Sequence, residues 1–118
     1  MSMSHLTALT ESKYVAPATQ ETVNAYADVA GSKIDTYSQK LVSYTCTNAD
    51  VANSIDWKVM ASNDDTSYVE AQAEATLAAA AIGTYTSTAA PYRYYKVQVK
   101  ASVGASQGDA TVVGMAKH

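Results

Sequence analysis

Chemistry at neutral pH needs a base, a nucleophile or a metal ligand held in place, and this chain is poor in all three. Its two histidines, His5 and His118, stand at opposite ends of the sequence, where chains fray unless tied down. A Ser-His-Asp arrangement needs an imidazole fixed between nucleophile and orienting acid, and a zinc site needs three or four ligands in fixed geometry. Neither is on offer. The one cysteine, Cys46, excludes an internal disulfide and any multi-cysteine metal site within one subunit. No cationic residue lies near it in sequence to lower its pKa, and it falls on the inward side of its strand, so it reads as a small buried hydrophobe. Asn63-Asp64-Asp65, with Glu70 and Glu74 following, could offer hard oxygen ligands to calcium. No Asp-x-Asp-x-Asp-Gly run accompanies them, and a solvated turn is the simpler reading. Glu70 and Glu74 also share a strand face, but glycoside hydrolysis needs a cleft lined with sugar-stacking aromatics as well. The expectation is a chain with no enzymatic activity, no cofactor and no metal.

Two groups of residues point to contacts rather than chemistry. Tyr92, Arg93 and Tyr94, next to Tyr95, form the densest aromatic group, and Tyr with Arg is what protein interfaces are enriched in. By strand parity Tyr95 belongs to the core, while Tyr92 and Tyr94 share the other face with Lys96 and Lys100. That face reads either as an interface or as an ordinary tyrosine-covered sheet surface. The second group is Leu6, Leu9, Tyr14 and Val15, within a stretch from Met1 to about Gln20 that shows no sustained period and contains Pro17. It reads as an extended arm of residues 1–20 that docks on a neighbouring copy's sheet edge, with a frayed terminus as the alternative.

The elements that must carry these groups are strands. Thr22 to Val29 alternates, with Val23, Ala25, Ala27 and Val29 on one face, as a half-buried strand requires. Gly31-Ser32 breaks it, and a second strand ends near Thr47 with Val42, Tyr44 and Cys46 inward. Asn48 to Asn53 is a loop of turn formers. Ile55, Trp57, Val59 and Ala61 then mark a central strand that stops at Ser62-Asn63-Asp64-Asp65. Tyr68 to Ile82 has a helix-forming composition, yet Val69, Ala71, Ala73, Ala75 and Leu77 alternate with polar residues, so a strand is expected there, with the three alanines where two sheets approach closely. After a turn over 78–83 comes a short strand over 84–88. The stretch from Tyr92 to Val103 alternates throughout, and a six-residue connection from Gly104 to Asp109 leads to a last strand, Ala110 to Ala116, expected to form a hairpin with it.

The chain has 118 residues, 47% hydrophobic and 16% charged, with a net charge of -3. That is one domain's worth of core. Nine Tyr with no Phe, beside many Thr and Val, suit a pleated, half-buried surface. The cations are scattered singly, with no basic stripe for phosphate backbones, so nucleic acid is excluded as a partner. The longest apolar run, Leu77 to Ile82, is far short of the roughly 20 residues of a membrane span. Met1-Ser2-Met3-Ser4-His5 lacks the basic patch and apolar stretch of a secretory signal, so the chain is expected to fold where it is made or leave by lysis. The fold class expected is all-β: an antiparallel β-sandwich, jelly-roll-like, of about seven to eight strands over residues 21–118.

Several segments carry a resemblance. Ile55-Asp56-Trp57-Lys58-Val59-Met60-Ala61-Ser62-Asn63-Asp64, the Pro-Tyr-Arg-Tyr-Tyr-Lys-Val-Gln-Val-Lys strand at 91–100, the glycine-containing connection, and the ending Val113-Gly114-Met115-Ala116-Lys117 resemble small β-sandwich structural proteins of tailed-bacteriophage virions. The resemblance covers the part of the chain from Ile55 onward and rests on strand pattern, not on a catalytic signature. Similar strands with a Ser-Asn-Asp turn occur in discoidin-like carbohydrate-binding sandwiches. The resemblance implies a non-enzymatic subunit of a phage particle, assembled in a bacterial cytoplasm and resident in the virion as a capsid decoration, neck, tail or baseplate component. Its partners would be other virion proteins and further copies of itself. The alternative is a module that binds a carbohydrate or a host-surface glycan.

Overall fold

The structure, a computed structural model, describes residues 13–36, 41–88, 90–102 and 108–117. Among them are nine strands: β1 (Lys13–Glu21), β2 (Ala27–Asp28), β3 (Ile34–Asp35), β4 (Leu41–Asn48), β5 (Ile55–Ser62), β6 (Val69–Leu77), β7 (Ile82–Ser87), β8 (Tyr94–Ala101) and β9 (Asp109–Lys117). The described residues contain no helix, and so none long and apolar enough to cross a membrane.

The strands form two antiparallel sheets. The first has the order β1-β9-β4-β7; the second has the order β2-β8-β5-β6, with β3 also paired to β8. The two-residue pieces β2 and β3 thus make one broken edge strand on β8. Only β5 and β6 form a hairpin within a sheet, and every other step along the chain crosses between sheets or joins β2 to β3. This is jelly-roll topology.

The core follows from alternation. In β4, β8 and β9 every second residue is buried: Val42, Tyr44 and Cys46; Tyr95, Val97, Val99 and Ala101; Ala110, Val112, Gly114 and Ala116. β5 adds Ile55, Trp57, Val59 and Ala61. Two glycines seat the largest rings. A Cβ on Gly83 would lie 2.8 Å from the Trp57 ring, and one on Gly114 would lie 2.6 Å from the Tyr44 ring. The Tyr44 hydroxyl points at two backbone carbonyls, Ser32 at 2.6 Å and Tyr95 at 3.1 Å, tying the first sheet to the second.

Four expectations need correction. First, β1 is not an arm: its backbone pairs with β9, with Tyr14 opposite Met115 and Val15 opposite Gly114, and Val15 is buried in this chain's own core. The irregular hydrophobic pattern that suggested an arm arises because the register slips between Val15 and Ala18, around Pro17, which breaks the period of two. Second, Thr22 to Val29 is not a strand. It carries the chain from one sheet to the other, with Thr22 tied to Gly108 by backbone and side-chain bonds of 2.7 and 3.0 Å, and Val23 is 44% exposed. Only Ala27–Asp28 finds a partner strand. Third, β8 and β9 do not form a hairpin, because they lie in different sheets; alternation reports which residues face inward, not which strand is the neighbour. Fourth, two register shifts in the β5–β6 pair interrupt the alternation of β6 midway, so Ala71, Ala75 and Leu77 face the core as expected while Ala73 is exposed.

Buried polar side chains hold the ends of the sandwich. Asn48 is fully buried and donates from Nδ2 to the carbonyls of Asn53 (2.7 Å), Leu77 (3.0 Å) and Ala78 (3.1 Å), while its Oδ1 accepts from the Asp50 N–H. It joins the 48–53 loop to the end of the β5–β6 hairpin. Asn48→Ala leaves those groups without a partner and is expected to cost about 2 to 3 kcal/mol, read as a lower denaturant midpoint at unchanged m-value. An unshifted midpoint would show that water replaces the amide without loss.

Candidate functional site

The two outer faces differ in chemistry. On the first sheet, charge occurs only at the ends of β1 and β9, at Lys13, Glu21, Asp109 and Lys117; β4 and β7 carry none. The registers set outward residues in rows across the strands. Thr19, Thr111, Thr47 and Ile82 form one row, Val113, Thr45 and Thr84 the next, and Met115, Ser43 and Thr86 a third. Thr19 and Thr111 hydrogen-bond through their hydroxyls at 2.7 Å. The result is a face rich in threonine whose centre carries no charge, with Glu21, Asp109 and Lys117 only at its margins.

The second sheet shows the opposite pattern. Cations lie over tyrosine rings along its length: Lys58 over Tyr26 (4.2 Å), Lys96 over Tyr68 (4.1 Å) and Arg93 beside Tyr94 (5.1 Å). Ion pairs cross-link the same surface, Lys96 to Asp28 at 2.9 Å, Lys58 to Glu70 at 3.4 Å and Lys100 to Asp56 at 3.1 Å. The Tyr26 hydroxyl donates to Glu74 at 2.6 Å. Burial, followed by that bond to a carboxylate, pushes the Tyr26 phenol well above its ordinary range.

A cleft of about 440 Å³ opens at one edge of this face, lined by the 28–33 segment with Asp65, Tyr68 and Lys96. Lys33 bonds Asp65 at 2.7 Å, and the Tyr68 hydroxyl donates to the same carboxylate. Two lysines and two aspartates balance, so the cleft is neutral, and it sets donors and acceptors around one aromatic ring. The Lys33 and Tyr68 hydrogen bonds hold the Asp65 carboxyl below its ordinary value. Burial pulls Asp28 upward, but bonds from Gln98 and Lys96 outweigh it and leave it lowered. Both are carboxylates at neutral pH.

The candidate residues fall in separate places. Tyr94 stands on the charged face, and Arg93 forms a two-pronged pair with Asp35, both contacts at 3.0 Å. Tyr92 does not share that face. It precedes the strand, after Pro91, and packs edge-on against Tyr95 with ring centroids 6.4 Å apart, at the margin of the core. Leu6 and Leu9 lie outside the described residues; Tyr14 is in β1, and Val15 is in the core. The cleft had no signal in the sequence, because its parts come from three distant segments. Burial pushes the Cys46 thiol up to about 12, so it stays protonated. Among the described residues no group of three or more His, Cys, Asp or Glu is placed to hold a metal. Asp64 and Asp65 instead serve the β5–β6 connection: Asp64 Oδ1 accepts from the Ser67 N–H (2.8 Å), the Thr66 N–H (2.9 Å) and the Ser62 hydroxyl (2.8 Å).

Those turn bonds lower the Asp64 pKa to about 2, which fixes a pH dependence. A carboxyl whose folded pKa is depressed stabilises the fold above its unfolded value of about 3.9 and loses that contribution as pH falls through the folded one. Asp28, Asp56 and Asp65 are lowered as well. Thermal midpoints are therefore expected to fall from about pH 4 toward about pH 2, and Asp64→Asn to flatten the drop. A wild-type midpoint constant over that window would show that the turn bonds do not hold the charge.

No protein-family model matches the chain, and no curated protein matches it in sequence. Solved structures do match it in fold. The PBSX exported protein XepA superposes with a TM-score of 0.64 at 11% identity, over 90% of this chain and 36% of that one. The SPBc2 prophage-derived protein YomS gives a TM-score of 0.55 at 12% identity, over 86% of this chain and 95% of that one. A structure of Bacillus endospore appendages, a family of disulfide-linked pili, gives 0.54 at 11% identity, over 90% and 86%. At these identities the likeness is one of fold, and what it establishes is that the chain is an all-β, jelly-roll-like sandwich.

Proposed function

We propose that the chain is a non-enzymatic structural subunit of a phage particle, a capsid decoration, neck, tail or baseplate component, acting in the virion through protein–protein contacts. The observation that carries this reading is the charge-free centre of the outer face of the first sheet. Exposed sheet faces ordinarily carry charge, as the second sheet does here, whereas depletion of charge marks the centre of interfaces. With strands about 4.8 Å apart and a rise of about 3.4 Å per residue, four strands of about seven residues present roughly 450 Å². The prophage origin of one fold neighbour, YomS, agrees with the reading. Its partners are other virion proteins and further copies of the chain.

Thr45 and Val113 sit opposite each other at the centre of the face, pointing outward. The pair Thr45→Lys and Val113→Lys should leave unfolding unchanged while reducing incorporation into purified particles at least tenfold. Equal incorporation would remove the face from the account.

The neutral cleft favours a second reading, a glycan-binding module on the same sandwich. Alternating lysine donors and carboxylate acceptors around Tyr68 suit the hydroxyls of an uncharged saccharide better than an anion or a cation. Tyr68→Ala should then abolish retention on host-envelope polysaccharide without affecting the fold; a wild-type chain that is not retained excludes this reading.

A further inference from the structure

Open sheet edges are templates for pairing with another chain, and proteins blunt them with prolines, bulges, charges or brevity. Among the described residues the sandwich has four edges. β1 carries Pro17, which has no N–H to offer, within a register shift. β6 carries Glu70 and Glu74 and two register shifts. The remaining edge of the second sheet is broken into β2 and β3, of two residues each. The last edge is β7, Ile-Gly-Thr-Tyr-Thr-Ser, at the end of the first sheet. It has no proline and no charge, pairs with β4 in unbroken register, and begins at Ile82, which is 63% exposed. None of the devices that guard the other three edges is present.

We propose that β7 is an assembly edge that pairs antiparallel with β7 of a second copy, joining the two first sheets into one of eight strands. The inference rests on reading the chain as an assembly subunit and names its partner as a second copy. Charge favours a copy of the same strand: in two-fold pairing each residue meets a residue of its own strand, so any charge there would meet its like. β7 has none to repel, whereas β6 paired in this way would bring glutamates together. Register is constrained too, because residues directly opposite must point to the same face. With Thr84 on the two-fold axis it meets Thr84 of the other copy; with Tyr85 on the axis it meets Thr86. Either register sets β-branched residues opposite one another and carries the charge-free part of the outer face across the junction. A six-residue edge buries less than the roughly 1,000 Å² of a stable standard interface, so the contact is weak for one pair and gains strength when repeated around a particle.

The test uses the isolated full chain, so that its result is separate from particle incorporation. Sedimentation up to about 1 mM, a range that reaches weak affinities, should show a monomer–dimer equilibrium, with hydrogen exchange at the β7 amides slowing as the dimer forms. The double variant Thr84→Lys, Thr86→Lys should weaken association at least tenfold with unchanged thermal unfolding. Mixing it with Thr84→Glu, Thr86→Glu should restore association as a heterodimer, which a merely structural effect of the substitutions would not do. A chain monomeric throughout that range, a dimer indifferent to the lysines, or a dimer whose β7 amides exchange as fast as the monomer's would each overturn the proposal. In the first case, a β7 edge protected only within particles would make another virion protein the occupant.

Discussion

Trp57→Ala is expected to lower the stability of the fold by about 3 to 5 kcal/mol, the range seen when a fully buried large aromatic is truncated. Trp57 is 1% exposed, lies on β5 between its partners β6 and β8, and closes over Gly83 of the facing sheet. The space it leaves is bounded by strands held in hydrogen-bonded ladders on both sheets, so little collapse is available to soften the loss. Its indole N–H has no partner among the described residues, so truncation sacrifices packing rather than a hydrogen bond. Trp57→Phe, which keeps a ring against Gly83, should recover part of the difference. Denaturant unfolding reads both variants, and an unchanged midpoint for Trp57→Ala would contradict the placement of this ring between the sheets.

Gly114→Val is expected to be of similar size and opposite mechanism, overfilling rather than emptying the core. Even a single Cβ would stand 2.6 and 2.7 Å from two carbons of the Tyr44 ring and 3.3 Å from Val15. The ring cannot swing aside without breaking its hydroxyl contacts to Ser32 and Tyr95, and β9 cannot retreat because β1 and β4 flank it. A loss of about 3 kcal/mol follows for this degree of overpacking. Because the clash is pairwise, adding Tyr44→Ala should destabilise the Gly114→Val background by less than it destabilises wild type, a non-additivity that only neighbours in contact show. Additive losses would mean that the two residues do not meet.

Much of the fold was legible because β4, β8 and β9 are half-buried strands with a strict period of two and β5 alternates apolar with polar residues, so that the period separates Val42, Tyr44, Cys46, Trp57, Tyr95 and Val97 from their neighbours. The same signal failed where the pleat is interrupted. Pro17 sits in a register slip that hid β1, the bulges of β6 turned Ala73 outward, and the crossing at residues 22–26 mimics alternation without a partner strand. Partner choice was not legible at all. Nothing in the order of Tyr94–Ala101 and Asp109–Lys117 tells that a connection of this length spans the sandwich instead of folding back. Tyr92 was misplaced for a related reason, since strand parity extends only as far as the strand and the chain before Tyr94 follows a turn.

The contact surfaces were harder still to read in advance. The tyrosine and lysine residues of the charged face were visible as outward positions of β8, yet their pairing with Tyr26, Tyr68 and Asp28 depends on which strands lie beside it. The charge-free centre of the other face required knowing that β1, β9, β4 and β7 share one sheet. Only then do the threonines of four unremarkable strands become a single surface with a charge-free centre, and only then is β7 recognisable as its unguarded edge among the described residues.

On the proposed function the chain is built into a particle and acts there through these surfaces. Quantitative mass spectrometry of particles purified from the producing cells, with immunogold labelling of the same preparation, tests it most directly. The chain should be present at a fixed copy number per particle, with label at one defined location. A chain abundant in the lysate but absent from washed particles, or present at a ratio that varies between preparations, would contradict it.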